Sequence, residues 1–353
     1  MSDSEPEVVF FEKGHLGLIV LNRPRAINAL THAMVREIAA AFDRWETNPL
    51  IATIAITGAG ERGLCAGGDI VSLYRDVTDG DGLAAAEFWF DEYHLNARIA
   101  RYPKPVVAVQ DGIVLGGGIG VSAHASIRVV TERGKLGLPE VGIGFVPDVG
   151  ATWLLSRAPG RLGEFAALTA GSFAAADAIT LGLSDTFVPS DRIPRLLTAL
   201  ETTDPAEAVL LAADDPGPSP LHDARTWIDP AFDAPTVVQI IEQLRAAGAA
   251  ETTMAADMIQ SKSPTATAVA LEAVRRAATL GSLEEALDQE FRVSRHALTC
   301  PDFAEGVRAQ VIDKDRNPIW QPATHTVTPE RVASFFEPYG DRELGLSAAM
   351  KGA

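Results

Sequence analysis

Cysteine is scarce. Cys65 and Cys300 are the only two in 353 residues and stand far apart, too few for a disulfide framework or a cysteine-built zinc site. Positive charge is short as well: 30 Lys and Arg face 47 Asp and Glu, a net charge of −17. No basic surface dominates such a chain, so neither nucleic acid nor an anionic bilayer is expected as its principal partner. Long apolar runs are also missing. The most apolar stretch, VVAVQDGIVLGGGIGVSA, is interrupted by Asp111 and rich in glycine. It suits buried core better than the roughly 20 uninterrupted apolar residues of a membrane helix. The N-terminal MSDSEPEVVFFEKG has neither an apolar h-region nor an Arg-rich amphipathic pattern. No secretory or organellar signal is read there, and the expected location is cytoplasmic.

What is present is a globular composition, with 47% hydrophobic against 22% charged residues, which places the chain among folded proteins. Over the first two hundred residues, short Val/Ile/Thr-rich runs alternate with amphipathic stretches, the pattern of an α/β core. Strands are expected at Val8–Phe11, Leu16–Leu21, Ile51–Thr57, Val106–Gln110 and Ile127–Thr131. Thr31–Trp45 reads as a helix, because Met34, Ile38, Phe42 and Trp45 recur at helical spacing; Asp81–Arg101 reads likewise. Prolines and aspartates crowd 201–236, which is expected to be a linker between a core over 1–200 and a helical segment over 237–353.

Three segments could carry chemistry. Ala66-Gly67-Gly68-Asp69 follows a strand and precedes a helix over Ile70–Arg75. Its glycines let backbone N–H groups approach a ligand, although a plain turn with Asp69 as helix cap is the commoner use. Gly116-Gly117-Gly118 offers backbone N–H groups to an oxyanion, or equally a close helix–strand contact. Glu140 and Asp148 lie eight residues apart across glycines and Pro147. A looped connection can bring both to one cavity, where burial and repulsion raise a carboxyl pKa. For an isolated pair, a capping Asp148 and a solvated Glu140 are commoner, but apolar neighbours make a solvated Glu140 less natural. Other motifs fail. Gly118–Ala123 fits G-x-G-x-x-A but lies deep in the chain, eight residues after Gln110 instead of directly after a first strand. No P-loop occurs, and Gly120–His124 misses G-x-S-x-G at its last position.

Together these segments resemble the crotonase (enoyl-CoA hydratase/isomerase) superfamily. The resemblance rests on Asn22-Arg23-Pro24, Asn28-Ala29-Leu30, Cys65–Ile70, Lys104–Ala108, the triple glycine, Pro139-Glu140 with Gly144, and Phe303–Gly306, all in the family's order. It implies a ββα spiral core with a C-terminal helical extension and an acyl-CoA substrate. It implies no cofactor beyond the coenzyme A that the substrate carries, and no metal. Oxyanion donors carried over by position are Ala66 and Gly117, with Gly67, Gly68, Asp69 and Gly116 lining the substrate. Arg23, Arg25 and Lys314, with Arg62 and Arg316, are the cations available for coenzyme A phosphates. Trimer-based assembly is a tendency of the superfamily, which the longer C-terminal segment can alter.

One departure is informative. Family hydratases use two glutamates, and the first of those positions here is Gly120. The hydrolase branch that acts on 3-hydroxyisobutyryl-CoA in valine breakdown has glycine there, and this chain resembles it over nearly its whole length. The shared features include Gly116–His124, Arg128–Glu132, Pro139–Gly150, Glu92-Tyr93-x-Leu95-Asn96, Ser263-Pro264-Thr265, Glu290-Phe291-Arg292, Glu305–Ala309 and Ile312–Asp315. The resemblance implies thioester hydrolysis with Glu140 and Asp148 as catalytic residues: Glu140 attacks the carbonyl as nucleophile or deprotonates the attacking water, and Asp148 and Glu92 orient the substrate hydroxyl, Asp148 also assisting proton transfer. A hydratase or isomerase, and a non-catalytic acyl-CoA-binding protein, are the alternatives.

Overall fold

The computed structural model describes residues 5–322, 326–339 and 342–351. The chain forms two compact units from interleaved segments: residues 1–69, 94–136 and 172–219 in the first, and 70–93, 137–171 and 220–353 in the second.

The first unit holds the main sheet, a six-stranded array in the order β1-β2-β3-β4-β6-β9. Its strands are β1 (Val8–Lys13), β2 (Leu16–Leu21), β3 (Thr53–Gly58), β4 (Val106–Gln110), β6 (Ile127–Val130) and β9 (Thr186–Phe187). β1 and β2 form an antiparallel hairpin, and every later pairing is parallel. A parallel sheet is covered on both faces and its strands read as continuous apolar runs; all five residues of β4 are buried. A second sheet, β5 (Ile113–Leu115), β7 (Lys135–Gly137) and β8 (Ser172–Phe173), has the order β5-β7-β8. Helix α1 (His32–Glu46) starts where the Thr31 hydroxyl accepts the Met34 N–H, and buries Met34, Ile38, Phe42 and Trp45, the residues whose spacing predicts it.

The second unit is helical. It contains α2 (Ile70–Asp79), most of α3 (Leu83–Ala100), α5 (Ala151–Leu155) and the helices Pro264–Ala277 and Leu283–Ala297. The short α4 (Gly117–Ser122) belongs to the first unit.

The expected linker over 201–236 is corrected by two helices, Pro205–Ala212 and Pro220–Phe232. Their prolines start helices where they were expected to stop them. A proline in the first turn lacks only an N–H that would be unpaired there anyway, and Asp204 caps the next two N–H groups. The division expected at 200 and 237 is likewise not the one observed, because residues 70–93 and 137–171 cluster with the C-terminal helices.

Candidate active site

In the first unit the segment after β3 runs beside β5. Cys65 N–H donates to Ile113 O at 3.1 Å, and Leu115 N–H returns to Cys65 O at 2.9 Å. On its other side the segment pairs with Leu30, whose N–H donates to Gly67 O and whose carbonyl accepts from Asp69 N–H, both at 2.8 Å. This double anchoring brings the turn against the entrance of α4. A Cβ added to Gly67 would lie 3.8 Å from Gly117 N, and one on Gly118 would lie 2.4 Å from Cys65 O. Gly118 is therefore needed for close approach of two backbones, while its neighbour Gly117 opens α4, where N–H groups have no intrahelical acceptor.

The same hydrogen bonds correct one expected donor. Ala66 N–H is already given to Ile27 O at 2.9 Å, so it is not available to an oxyanion. Gly68, two residues on, has its neighbours Gly67 and Asp69 tied to Leu30, and no acceptor for its own N–H occurs among the described residues. Asn28 explains why the Asn28-Ala29-Leu30 motif accompanies this turn: its buried side chain accepts Arg23 N–H and donates to Ala59 O and Gly63 O.

Arg23 is corrected as a phosphate cation. Its guanidinium pairs with Glu7 and with Asp69, both at 3.1 Å, and donates to Ala29 O at 2.6 Å. It is a structural clamp, and it is what Asp69 faces. Arg25, Arg62, Lys314 and Arg316 are exposed, and in the first unit the Arg62 guanidinium donates to the Arg25 carbonyl at 3.3 Å.

The carboxylates lie in the second unit. Glu140 opens a tight 3₁₀ turn over Glu140–Ile143 that Gly144 closes in a left-handed conformation. It is 5% exposed, and its Oε2 has no partner among the described residues. The turn is pinned by Ser263, whose N–H donates to Val141 O at 3.1 Å. An aromatic wall adjoins it, with Trp89 stacked on Phe145 at 4.8 Å and Phe303 set edge-on to both. Burial in these surroundings, and secondarily the charge of Asp148, pushes the Glu140 carboxyl well above its usual range.

Asp148 is equally buried, and its Oδ2 accepts the Tyr93 hydroxyl at 2.6 Å. Burial raises its pKa to about 7 against the lowering effect of that hydrogen bond. Glu92, one residue before Tyr93 on α3, is 2% exposed with Oε1 unpartnered among the described residues. Desolvation and then Asp148 raise its pKa too. The second unit thus collects Glu92, Glu140 and Asp148 as buried acids whose charges oppose one another, an arrangement that raises carboxyl pKa values and suits such groups to proton transfer. Position 120 lies inside α4 with no side chain to offer.

Sequence reasoning assigned no role to Tyr93, Ser294 or Glu290. Ser294 Oγ lies 2.8 Å from the Tyr93 hydroxyl, and Glu290 binds Gly150 N–H and Thr152. The four-residue spacing of Glu290 and Ser294 on one helix was the available signal.

Residues 16–336 match the enoyl-CoA hydratase/isomerase family. The chain is 36% identical to the mitochondrial 3-hydroxyisobutyryl-CoA hydrolase of Danio rerio, over 98% of this chain and 93% of the relative. It is 37% identical to that of Rattus norvegicus over 96% and 90%. Among solved structures it superposes on a carnitinyl-CoA dehydratase from Mycobacterium thermoresistibile with a TM-score of 0.93 and 49% identity, covering 96% of this chain and 98% of that one. An enoyl-CoA hydratase from Rhodobacter sphaeroides 2.4.1 gives 0.91 and 39%, covering 96% and 99%. The expected cytoplasmic location is overturned by the vertebrate relatives, which are mitochondrial proteins. Two free, buried cysteines do not distinguish one reducing compartment from another. Matched over most of its length by both sequence and fold, the chain belongs to the enoyl-CoA hydratase/isomerase, or crotonase, family.

Proposed function

We propose that the protein is a 3-hydroxyisobutyryl-CoA hydrolase, cleaving the thioester to the free hydroxy acid and coenzyme A. The carrying observation is the acid set: one buried Glu140 whose Oε2 has no partner among the described residues, accompanied by Asp148 and Glu92, with glycine at position 120. Concerted addition of water to a double bond calls for an acid and a base at the positions of Glu140 and residue 120, and the second is absent. Hydrolysis needs only one attacking or base carboxylate plus an oxyanion hole.

In this reading the N–H groups of Gly68 and Gly117 receive the thioester oxygen as it becomes an oxyanion. Glu140 supplies the attack in its ionised form. It either adds to the carbonyl carbon, giving a mixed anhydride that water then opens, or removes a proton from the water that attacks. In both routes the C–S bond breaks from the tetrahedral state and the thiolate leaves to take up a proton. Asp148 and Glu92 bind the substrate's 3-hydroxyl. A site that pairs an OH with buried polar groups discriminates against analogues lacking it, because those groups are then left unpaired.

Free-thiol release from 3-hydroxyisobutyryl-CoA is the direct test, with crotonyl-CoA hydration measured alongside. Glu140→Gln is expected to lower thiol release by at least about 100-fold. Solvent ¹⁸O found in the Glu140 carboxyl after a single turnover selects the anhydride route. A hydratase or dehydratase reading has one observation in its favour, the activities named for the two well-matched bacterial structures. Brisk hydration of crotonyl-CoA without thiol release would establish it instead.

A further inference from the structure

The helix Leu283–Ala297 has no part in the chemistry described above, yet two of its side chains reach the Asp148 segment. Glu290 and Ser294 stand four residues apart, hence on one face. Glu290, only 1% exposed, accepts Gly150 N–H at 2.6 Å and Thr152 N–H at 2.8 Å, and also the Thr152 hydroxyl. These groups open α5, immediately after Asp148, so a carboxyl group from a distant helix caps that helix's N-terminus. The backbone between them needs such a hold. Val149 has φ +56° and Gly150 φ +80°, two successive left-handed residues of which the first is β-branched, a conformation that persists only where surroundings impose it.

Ser294 acts on the carboxylate through Tyr93. The Tyr93 hydroxyl gives its single hydrogen to Asp148 Oδ2 at 2.6 Å, so Ser294 Oγ, 2.8 Å from the same phenolic oxygen, is the donor in that contact. The result is a relay, Ser294 to Tyr93 to Asp148, in which each bond polarises the next. The groups facing Asp148 are Glu92 and Tyr93 from α3, Glu140 from its turn and Glu290 from the helix Leu283–Ala297. None is a cation, so hydrogen bonds are what favour the ionised, accepting form, first the one from Tyr93 and then one from the backbone at Asp148 itself.

We infer that the helix Leu283–Ala297 is the positioning element for Asp148: Glu290 fixes where its backbone runs, and Ser294, acting through Tyr93, fixes its carboxylate as a hydrogen-bond acceptor for the substrate hydroxyl. The substrate half of this statement rests on the proposed hydrolase reading; the positioning half does not.

The experiment therefore has two readouts. In the substrate-free protein, the Asp148 carboxyl is followed by infrared difference titration, its band assigned by loss in Asp148→Asn. Tyr93→Phe is expected to raise the midpoint by about one pH unit, as loss of a hydrogen bond to a carboxylate does, and Ser294→Ala by less in the same direction. Because Ser294 acts through Tyr93, the double variant moves no further than Tyr93→Phe alone, and Ser294→Thr restores the wild-type midpoint. With substrate, the acid limb of the kcat profile moves up by the same amount in Tyr93→Phe. Glu290→Gln, which turns an amide N–H toward the Gly150 N–H, lowers kcat about 10-fold without raising the midpoint. An unchanged or lowered midpoint in Tyr93→Phe, or additive effects of the Tyr93 and Ser294 changes, overturns the inference; if Tyr93→Phe fails to fold, the Ser294 variants decide it alone. Wild-type protein that releases no thiol from any acyl-CoA refutes the hydrolase reading and leaves the infrared test standing.

Discussion

Replacing Gly118 by alanine adds one carbon where the turn over Cys65–Gly68 meets α4. The new Cβ would lie 2.4 Å from Cys65 O and about 3.0 Å from Cys65 Cβ. Both neighbours are close to the backbone, so no flexible side-chain end can swing aside. Ordinary contact begins at 3.4 Å, so the two segments must separate by 3.4 − 2.4 = 1.0 Å. The proposed donors are carried by these same segments, Gly68 on one and Gly117 on the other. Misplacement of about 1 Å costs on the order of 100-fold in rate, and outright loss of an oxyanion donor about 100–1,000-fold. Gly118→Ala is thus expected to lower kcat about 100-fold, with KM changed far less, because the donors act chiefly on the charge formed during reaction. Overpacking adds a stability cost of about 1–3 kcal/mol. Thiol-release kinetics and thermal unfolding on the same preparation separate the two effects. Folded Gly118→Ala with more than about a tenth of wild-type kcat would refute the placement of the oxyanion donors.

Three further outcomes follow from the same geometry. Arg23→Met is expected to lower the melting temperature and to raise KM equally for a coenzyme A thioester and for a pantetheine thioester, since Arg23 clamps Glu7, Asp69 and Ala29; a rise confined to the coenzyme A substrate would return it to the phosphate. Gly144→Ala combines a left-handed φ of +70° with a Cβ 2.1 Å from Asp302 O, so it is expected to destabilise the fold strongly, as denaturant unfolding would show. The pKa of Asp148, raised from 3.8 to about 7, and that of Glu290, raised from 4.5 to about 8, mean that the native state holds more protons than the unfolded chain between about pH 4 and 8. Their contribution is fully present below the unfolded values and is lost as pH rises through the folded ones. The melting temperature should fall over that window, and Asp148→Asn should flatten the fall; an equally steep fall in the variant would contradict the shift.

Much of the sheet was legible because its signal is local. Leu16–Leu21 and residues 106–109 are continuous apolar runs, and α1 announces itself by four apolar residues at helical spacing. The strands β5, β7, β8 and β9 were not read, being two or three residues long and too short to carry a period. Proline was misread over 201–236 because the residue that ends one helix also begins the next, and only a capping partner such as Asp204 distinguishes the cases. At the site, residue types and order singled out Glu140, Asp148 and the two glycine turns. Motif order points to Ala66 as a donor where the open N–H belongs to Gly68, because position in a motif says nothing about where a backbone N–H points. That depends on Ile27 and Leu30, which arrive from some forty residues earlier.

Composition, motif order and the glycine at position 120 determined the α/β class, the family and the acyl-CoA chemistry, since these rest on which side chains exist and in what order. The tertiary structure alone decided their condition. It showed that Arg23 is spent on Glu7 and Asp69, that Ala66 N–H is occupied, and that Asp148 is held by a helix about 140 residues away. It also placed Glu92, Glu140 and Asp148 in buried surroundings. Whether a carboxyl is an ordinary surface acid or a group poised near neutrality is set by desolvation and by neighbouring charge, and both are properties of packing between segments remote in sequence.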